Sequence, residues 1–503
     1  MSNQNLSAKL LLHGGIYAAA RFLERAAGIV LVPLYARVLR NQGYGVVALL
    51  GSITPFLTVL LGQGLPGAWF RLRHDYEDGE ARRRFEASII WYLVVSTALA
   101  TMLVSLAGDW LAALLSDRLR YFPLVFLAVV TGALRVISDL YVRRANAELR
   151  PMAVVAFTLP RTVMMLGAVV VGVAVLDLGP LGKLGAEALV ALVAALVALS
   201  LLRPASPRRI SKEILHRSLA FGLPLVPHAL ATQVNALVGR LLISRFLGLG
   251  ATGIYSMGAA IADVGNLIAV SMNQGFSPLF IAEARRLDRG LLEGRERSQA
   301  EQGLARGGLL MVATIGCVGV GLTAFAREAL MVLATDEFRH SYRVVAPLSA
   351  ATILRASYFA FSQPLFSNGQ AVRRMPIVSF AGTALNIAMN FVLLPRVGFV
   401  GGAYALLFAN AGTVLLALPM GQAVLRLPHS HLRWLSLYAS VGGGLAALYA
   451  LDLSLTDLVW RVVAKACVAV ISSLVTLRLA GTTPRNLLEL LRTRKLPPDS
   501  EAS

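Results

Sequence analysis

Long apolar stretches separated by short polar breaks run from about residue 10 to about residue 480. A helix that crosses a bilayer needs roughly 20 mostly apolar residues. Fourteen stretches meet that length: 10–39, 43–70, 86–108, 121–142, 151–175, 184–203, 218–247, 253–282, 302–325, 345–368, 375–395, 399–425, 433–451 and 457–480. Merging the weakly hydrophobic ones would reduce the count to twelve. The longest polar stretches are 71–85, 204–217, 283–301 and the tail 481–503, none long enough to be a domain. The tail carries Pro497 and Pro498 and reads as disordered. The pattern predicts an all-α polytopic membrane protein whose function lies among its helices.

Charge agrees with that layout. The breaks alternate between richly and sparsely basic. With the N-terminus placed in the cytoplasm, cytoplasmic segments hold 28 of the 47 Lys and Arg residues and the opposite segments hold 11. This is the positive-inside distribution. It accounts for the net charge of +20 without nucleic acid and puts both termini in the cytoplasm. The composition, 56% hydrophobic and 15% charged, is that of a chain dissolved in lipid. Cys317 and Cys467 both lie in apolar runs, which argues against a structural disulfide. The first nine residues are polar, and the run that follows carries Arg21, Glu24 and Arg25, wrong for a cleavable signal sequence. The N-terminus is therefore expected to be uncleaved.

A faint repeat is visible at a shift of 208 residues, which pairs Arg37 with Arg245, Leu39 with Leu247, Gly45 with Gly253 and Gly67 with Gly275. The shift spans six predicted helices, so both copies enter the membrane in the same direction, the parallel repeat of two-lobed transporters. The expected organisation is an N-terminal six-helix lobe (10–203), a cytoplasmic linker (204–217), a C-terminal six-helix lobe (218–425), two further transmembrane helices (433–480) and a cytoplasmic tail (481–503).

A charge at bilayer depth costs about 2.5–3.5 kcal/mol on insertion scales, so such residues face a cavity or a partner. Arg21 and Arg25 share a face of the first predicted helix, with Glu24 between them. Arg161, Arg240 and Arg355 lie inside the fifth, seventh and tenth. Cations predominate, which suits an anion, and arginine grips phosphate through a bidentate fork. These five arginines are the candidate substrate-binding residues of a cationic cavity. Glu24 and Asp263 are candidates for ion coupling. Asn266, Asn273, Asn386 and Asn390 form polar stripes that either line the cavity or hold helices together. Arg135 and Asp139, one turn apart, read as a structural pair, and Lys183 with Glu187 as a pair at a helix end. For Arg306 and Lys465, snorkelling to an interface weighs equally with burial. Pro33, Pro55, Pro66, Pro224 and Pro227 are expected to kink their spans.

Enzyme signatures are missing. There is no phosphate loop ending in GK[ST], no HExxH and no Cys/His spacing for a metal, so no catalytic residue, metal or cofactor is expected.

Three stretches carry a resemblance: LYARVLRNQGYGVVAL (34–49), GRLLISRFLGLGATGIYSMGAAI (239–261) with QGFSPLFIAEARR (274–286), and LNIAMNFVLLPRVGFVGGAYALLFAN (385–410). In order and spacing the chain resembles the polysaccharide transporter (Wzx-type) family of the multidrug/oligosaccharidyl-lipid/polysaccharide (MOP) flippase superfamily. The resemblance implies two six-helix lobes around a central cavity whose cations hold a substrate diphosphate. It implies a flippase of the bacterial inner membrane, moving an undecaprenyl diphosphate-linked oligosaccharide outward for O-antigen, capsule or exopolysaccharide assembly. The implied partners are that lipid-linked substrate, the bilayer, and the polysaccharide polymerase and chain-length machinery. A lipid II flippase is a related alternative, although its characteristic segment after the second helix is not seen in LPGAWFRLRHDYEDG (65–79). A multidrug exporter would favour acidic cavity residues. A membrane glycan polymerase or ligase is the enzymatic alternative.

Overall fold

The computed structural model describes residues 28, 31–76, 79–148, 150–203, 210–368, 370–455 and 457–482. In chain order its helices are α1 (Val32–Val38), α2 (Arg40–Gly62), α3 (Leu65–Leu72), α4 (Glu80–Leu106), α5 (Gly108–Leu115), α6 (Phe126–Ala147), α7 (Pro151–Val169) and α8 (Gly179–Leu202). They continue with α9 (Lys212–Gly222), α10 (Val226–Asp288), α11 (Gly294–Leu333), α12 (Val345–Ser367), α13 (Met375–Val397), α14 (Val400–Val424), α15 (His431–Ser454) and α16 (Leu458–Leu479). Among the described residues, twelve helices are long and apolar enough to cross a membrane.

The boundaries have local causes. Asp457 caps α16 by accepting from the Trp460 N–H at 3.0 Å, and Ser430 caps α15 through the Arg433 N–H. Prolines expected to kink spans mostly start helices instead. Pro33 and Pro66 sit in the first turns of α1 and α3, Pro224 in the turn before α10 and Pro227 at its start. A first turn has no use for the missing N–H, so proline is tolerated there. Pro55 is inside α2, as expected.

One predicted stretch is divided differently. Stretch 43–70 breaks into α2 and α3 at Gln63 and Gly64, both in the left-handed region (φ 50° and 71°). A Cβ on Gly64 would collide with the Gly222 carbonyl, so glycine is required there by contact as well as by φ. Stretches 218–247 and 253–282 are the two helices of α10, which meet as expected at a kink at Gly248 (φ 86°, ψ 173°). The expected loop 283–301 is largely helical, taken up by the end of α10 and the start of α11. Most of stretch 10–39 lies outside the described residues.

The chain forms two compact units. The first is Met1–Ser256 with Leu333–Glu337. Here α2 packs on α6, α6 on α8, α7 on α8 and α4 on α6. Its core gathers Leu49, Leu50, Trp69, Phe85, Ile89, Val129 and Leu140, all buried. The second unit is Met257–Val332 with Phe338–Ser503. There α14 packs on both α12 and α13, and α15 on α16, around Val312, Ala356, Phe361, Val378 and Leu437. Large apolar side chains cover the outside of several helices: Leu99, Met102 and Leu103 on α4, Val163 on α7, and Val470 and Ile471 on α16. Such surfaces would aggregate in water and are at home in lipid.

Within the first unit the 208-residue repeat is expressed in the backbone. Arg40, the first residue of α2, has φ 56°, and the residue 208 positions later is Gly248, where α10 bends. Gly45 and Gly253, paired by the same shift, face one another. A Cβ on Gly45 would strike the Leu249 carbonyl, and a Cβ on Gly253 would strike the Asn41 carbonyl. Asn41 and Leu249 are again 208 apart. A contact in which i meets j′ and j meets i′ is the mark of a two-fold relation.

Candidate functional site

Intramembrane charges are the natural place to look for chemistry. In the second unit, Asp263 of α10 and Arg355 of α12 are exposed and act on one another electrostatically. The Arg355 guanidinium also lies 5.6 Å from the centre of the Phe359 ring, where a cation is stabilised by the ring face. Asn266 follows Asp263 by three residues, close to one helical turn, and its amide oxygen is buried without a hydrogen-bond partner. A buried, unpaired carbonyl beside an exposed carboxylate is a polar group still owed a partner.

In the first unit, Arg161 is half-buried on α7. Arg240 is half-buried on α10, where its Nε donates to the Ser256 hydroxyl at 3.3 Å. Arg21, Glu24 and Arg25 lie outside the described residues.

The remaining amides are engaged between helices or within one. Gln363 of α12, fully buried, donates to the Asn273 side-chain oxygen at 2.8 Å and accepts from the Ser277 hydroxyl at 2.9 Å, joining α12 to α10. Asn390 donates to both the backbone and the side-chain oxygens of Asn386 at 2.8 Å, and both residues are buried in α13. Gln363 was not singled out from the sequence, although a glutamine in the middle of a span is a visible signal.

Sequence reasoning also missed the cluster that holds the most deeply buried charges among the described residues. Lys465 and Arg461 of α16, one turn apart, meet Glu328 of α11 and Asp452 of α15. The Lys465 ammonium lies 2.6 Å from Asp452 and 2.9 Å from Glu328, and Arg461 Nε donates to Glu328 at 3.0 Å. Arg327 donates to the Asp452 carbonyl and covers the Tyr342 ring at 5.4 Å. Lys465 is wholly buried, so the snorkelling alternative is replaced by an ion-pair network. In lipid the cost of an exposed ammonium there would exceed that of holding it between two carboxylates. The cluster ties α15 and α16 to α11.

In the first unit, Lys183 pairs with Glu187 at 2.9 Å, and Arg135 joins them at 3.7 Å. Near the polar ends of α3, α4 and α6, Arg73 bridges Glu86 (3.1 Å) and Glu148 (2.7 Å), Arg144 binds Glu148 at 3.0 Å, and Arg73 lies over Trp69. These pairs join helices and are self-compensating.

Among the described residues, the twelve candidate spans and the helix order define an all-α, multi-pass membrane protein. The fold is similar to that of solved transporters. A structure described as "Lipid II flippase MurJ, inward closed conformation" matches with a TM-score of 0.67 at 14% identity, covering 92% of this chain and 98% of that one. A multidrug resistance MATE family transporter of the MOP superfamily matches in its inward-facing conformation with a TM-score of 0.63 at 14% identity, over 79% of this chain and 94% of the other. An outward-facing conformation matches with a TM-score of 0.56 at 13% identity, over 82% and 94%. The family described as "Polysaccharide biosynthesis protein" matches residues 11–281, more than half of the chain. The chain belongs to that family of polysaccharide biosynthesis proteins. No curated protein sequence matches it.

Proposed function

We propose that this protein moves an undecaprenyl diphosphate-linked oligosaccharide from the inner to the outer leaflet of a bacterial inner membrane, supplying O-antigen, capsule or exopolysaccharide assembly. The observation that carries this reading is the family match over residues 11–281. The full set of spans is fourteen: the twelve candidates, with α10 counted as two spans divided at Gly248, and the stretch that begins at residue 10. Two six-helix lobes, 10–203 and 218–425, alternate in access, with the linker 204–217 and both termini in the cytoplasm.

Arg21, Arg25, Arg161, Arg240 and Arg355 hold the diphosphate in place of the water it loses; a bare phosphate charge in a low dielectric would cost many kcal/mol. Asp263 and Glu24 are the candidates for ion coupling. Asn266, with its unsatisfied carbonyl, is the amide best placed to take a sugar hydroxyl. An inside-negative membrane favours outward movement of an anion by about 2.3 kcal/mol per charge per 100 mV. Downstream polymerase and chain-length machinery would consume the product and pull the cycle forward.

The test is the lipid-linked intermediate that accumulates on the inner leaflet after deletion. An undecaprenyl-linked oligosaccharide is expected. Accumulation of lipid II would assign the peptidoglycan reading, and normal flipping with altered chain length would assign a polymerase or ligase. Arg355→Ala should block export with protein level unchanged, and Arg355→Lys should keep part of it, since charge survives and the fork does not. Wild-type flipping by an Arg161→Ala, Arg240→Ala, Arg355→Ala triple variant would end the cationic-site mechanism. Full activity of Asp263→Asn would exclude that residue as an obligatory proton carrier.

A further inference from the structure

Two ion pairs in the first unit join loops that a shift of six spans interchanges, although the residues themselves do not correspond: a shift of 208 places Gly248 against Arg40 and Phe325 against Asp117. Arg40 sits at the turn between the first and second predicted spans. Its Nη2 lies 2.7 Å from Glu337, which sits between the ninth and tenth. The other Glu337 oxygen accepts from the Asn41 N–H at 3.0 Å, at the positive end of α2. Arg245 sits in the last turn of the seventh span, three residues before the kink at Gly248. It lies 2.6 Å from Asp117, between the third and fourth, and also donates to the Ala113 carbonyl at 2.9 Å.

A shift of six spans converts the first turn into the seventh and the third loop into the ninth. Each turn of one copy therefore grips the acidic loop of the other. Leu333–Glu337 groups with the first unit although its chain neighbours on both sides, Val332 and Phe338, belong to the second. The four loops touch, so they lie on one side of the membrane, the external side by the positive-inside distribution.

We propose that the Arg40–Glu337 and Arg245–Asp117 pairs are the two halves of an external latch, seated on the Gly45–Gly253 crossing, that must separate once per cycle to open this face. The proposal rests on the alternating-access reading above. Its physical requirement is weakness. Arg40 and Asp117 are largely exposed, at 76% and 85% of their side-chain surface. Exposed pairs hold loosely and break readily, unlike the buried Lys465 network. The close glycine crossing brings the two turns together without bulky side chains between them, so small movements there separate both pairs at once.

The test uses the full chain with Cys317 and Cys467 changed to serine. In one arm, Arg40→Cys with Glu337→Cys is oxidised; export should stop and return on reduction. In a second arm, spin labels at Arg118 and Leu247 report the distance across one half directly, with no need of substrate. Asp117→Asn with Glu337→Gln should raise the ratio of long to short distances by roughly threefold to thirtyfold, the size two exposed pairs supply. Arg40→Glu with Glu337→Arg, which restores a pair of opposite polarity, should return the short distance and guards against misfolding. Export at the reduced rate by the cross-linked protein, or an identical distance distribution in the neutralised variant, overturns the latch. A distribution that responds in a protein that exports no lipid-linked oligosaccharide supports the latch and overturns the substrate reading alone.

Discussion

Lys465 is completely buried and holds Asp452 and Glu328 at hydrogen-bonding distance. Replacing it by methionine keeps the volume and strands two carboxylates, leaving Glu328 to Arg461 and Asp452 to Arg327. Lys465→Met is expected to destabilise the protein by about 3 kcal/mol, and adding Asp452→Asn should recover part of that. Thermal unfolding in detergent measures both; a loss below about 1 kcal/mol would mean that the network is not structural. A second residue-scale outcome concerns His429, between α14 and α15. It packs edge-on against Phe361 and Trp434, and its Nδ1 is buried without a partner. Burial lowers its pKa to about 4, with His431 adding to the effect. The folded state therefore keeps it neutral while the unfolded chain takes a proton below about 6.5. Its contribution is intact above pH 6.5 and is lost as pH falls from 6.5 toward 4. The melting temperature of His429→Phe should fall less than that of the parent between pH 7 and 4.5; parallel curves would show that His429 does not set this dependence. Arg461 and Lys465, four apart on one face, were visible in the sequence. Their partner Glu328 was not, because an ion pair across 137 positions leaves no local pattern.

Among the elements, the crossing of α2 with α10 makes the strictest demand. A methyl group on Gly45 or Gly253 would collide with a backbone carbonyl, which cannot rotate away as a side chain can. Gly45→Ala and Gly253→Ala are each expected to cost about 1–3 kcal/mol through overpacking. Gly321→Ala, in α11 with open space around it, should be neutral or stabilising by up to about 1 kcal/mol. Comparing yield and melting temperature of the three variants decides the matter; equal behaviour would remove the crossing as a constraint. The spans themselves were readable because lipid demands about 20 apolar residues in a row. The break at Gln63–Gly64 was not, because it depends on the φ of two residues and on what packs beside them. The repeat was faint in sequence: four identities marked it, and the Arg40–Gly248 correspondence shows as backbone shape between unlike residues.

For the whole molecule, the touching turns at Arg40 and Arg245 and loops at Asp117 and Glu337 must share one side of the membrane. In a background without Cys317 and Cys467, an impermeant maleimide applied from outside should label single cysteines at Arg118 and Arg339. Cysteines at positions 78, 206 and 290 should react only after the membrane is opened. Labelling of the second set from outside would invert the topology and with it the direction of transport.

The ion network of the last two helices also bears on the order of assembly. Glu328 enters the membrane well before the cations of α16 are synthesised, and Asp452 precedes them by only a few residues. Until Arg461 and Lys465 arrive, both acids lack those partners; once they arrive, the final hairpin is drawn against α11 and the charges disappear from the surface. A nascent protein that fails to receive the closing helix is expected to hold Glu328 in the bilayer without Arg461 and Lys465, and Asp452 with Arg327 as its remaining ion-pair partner. Chains cut short before Leu458 should be cleared rapidly, and Glu328→Gln with Asp452→Asn should lengthen their lifetime.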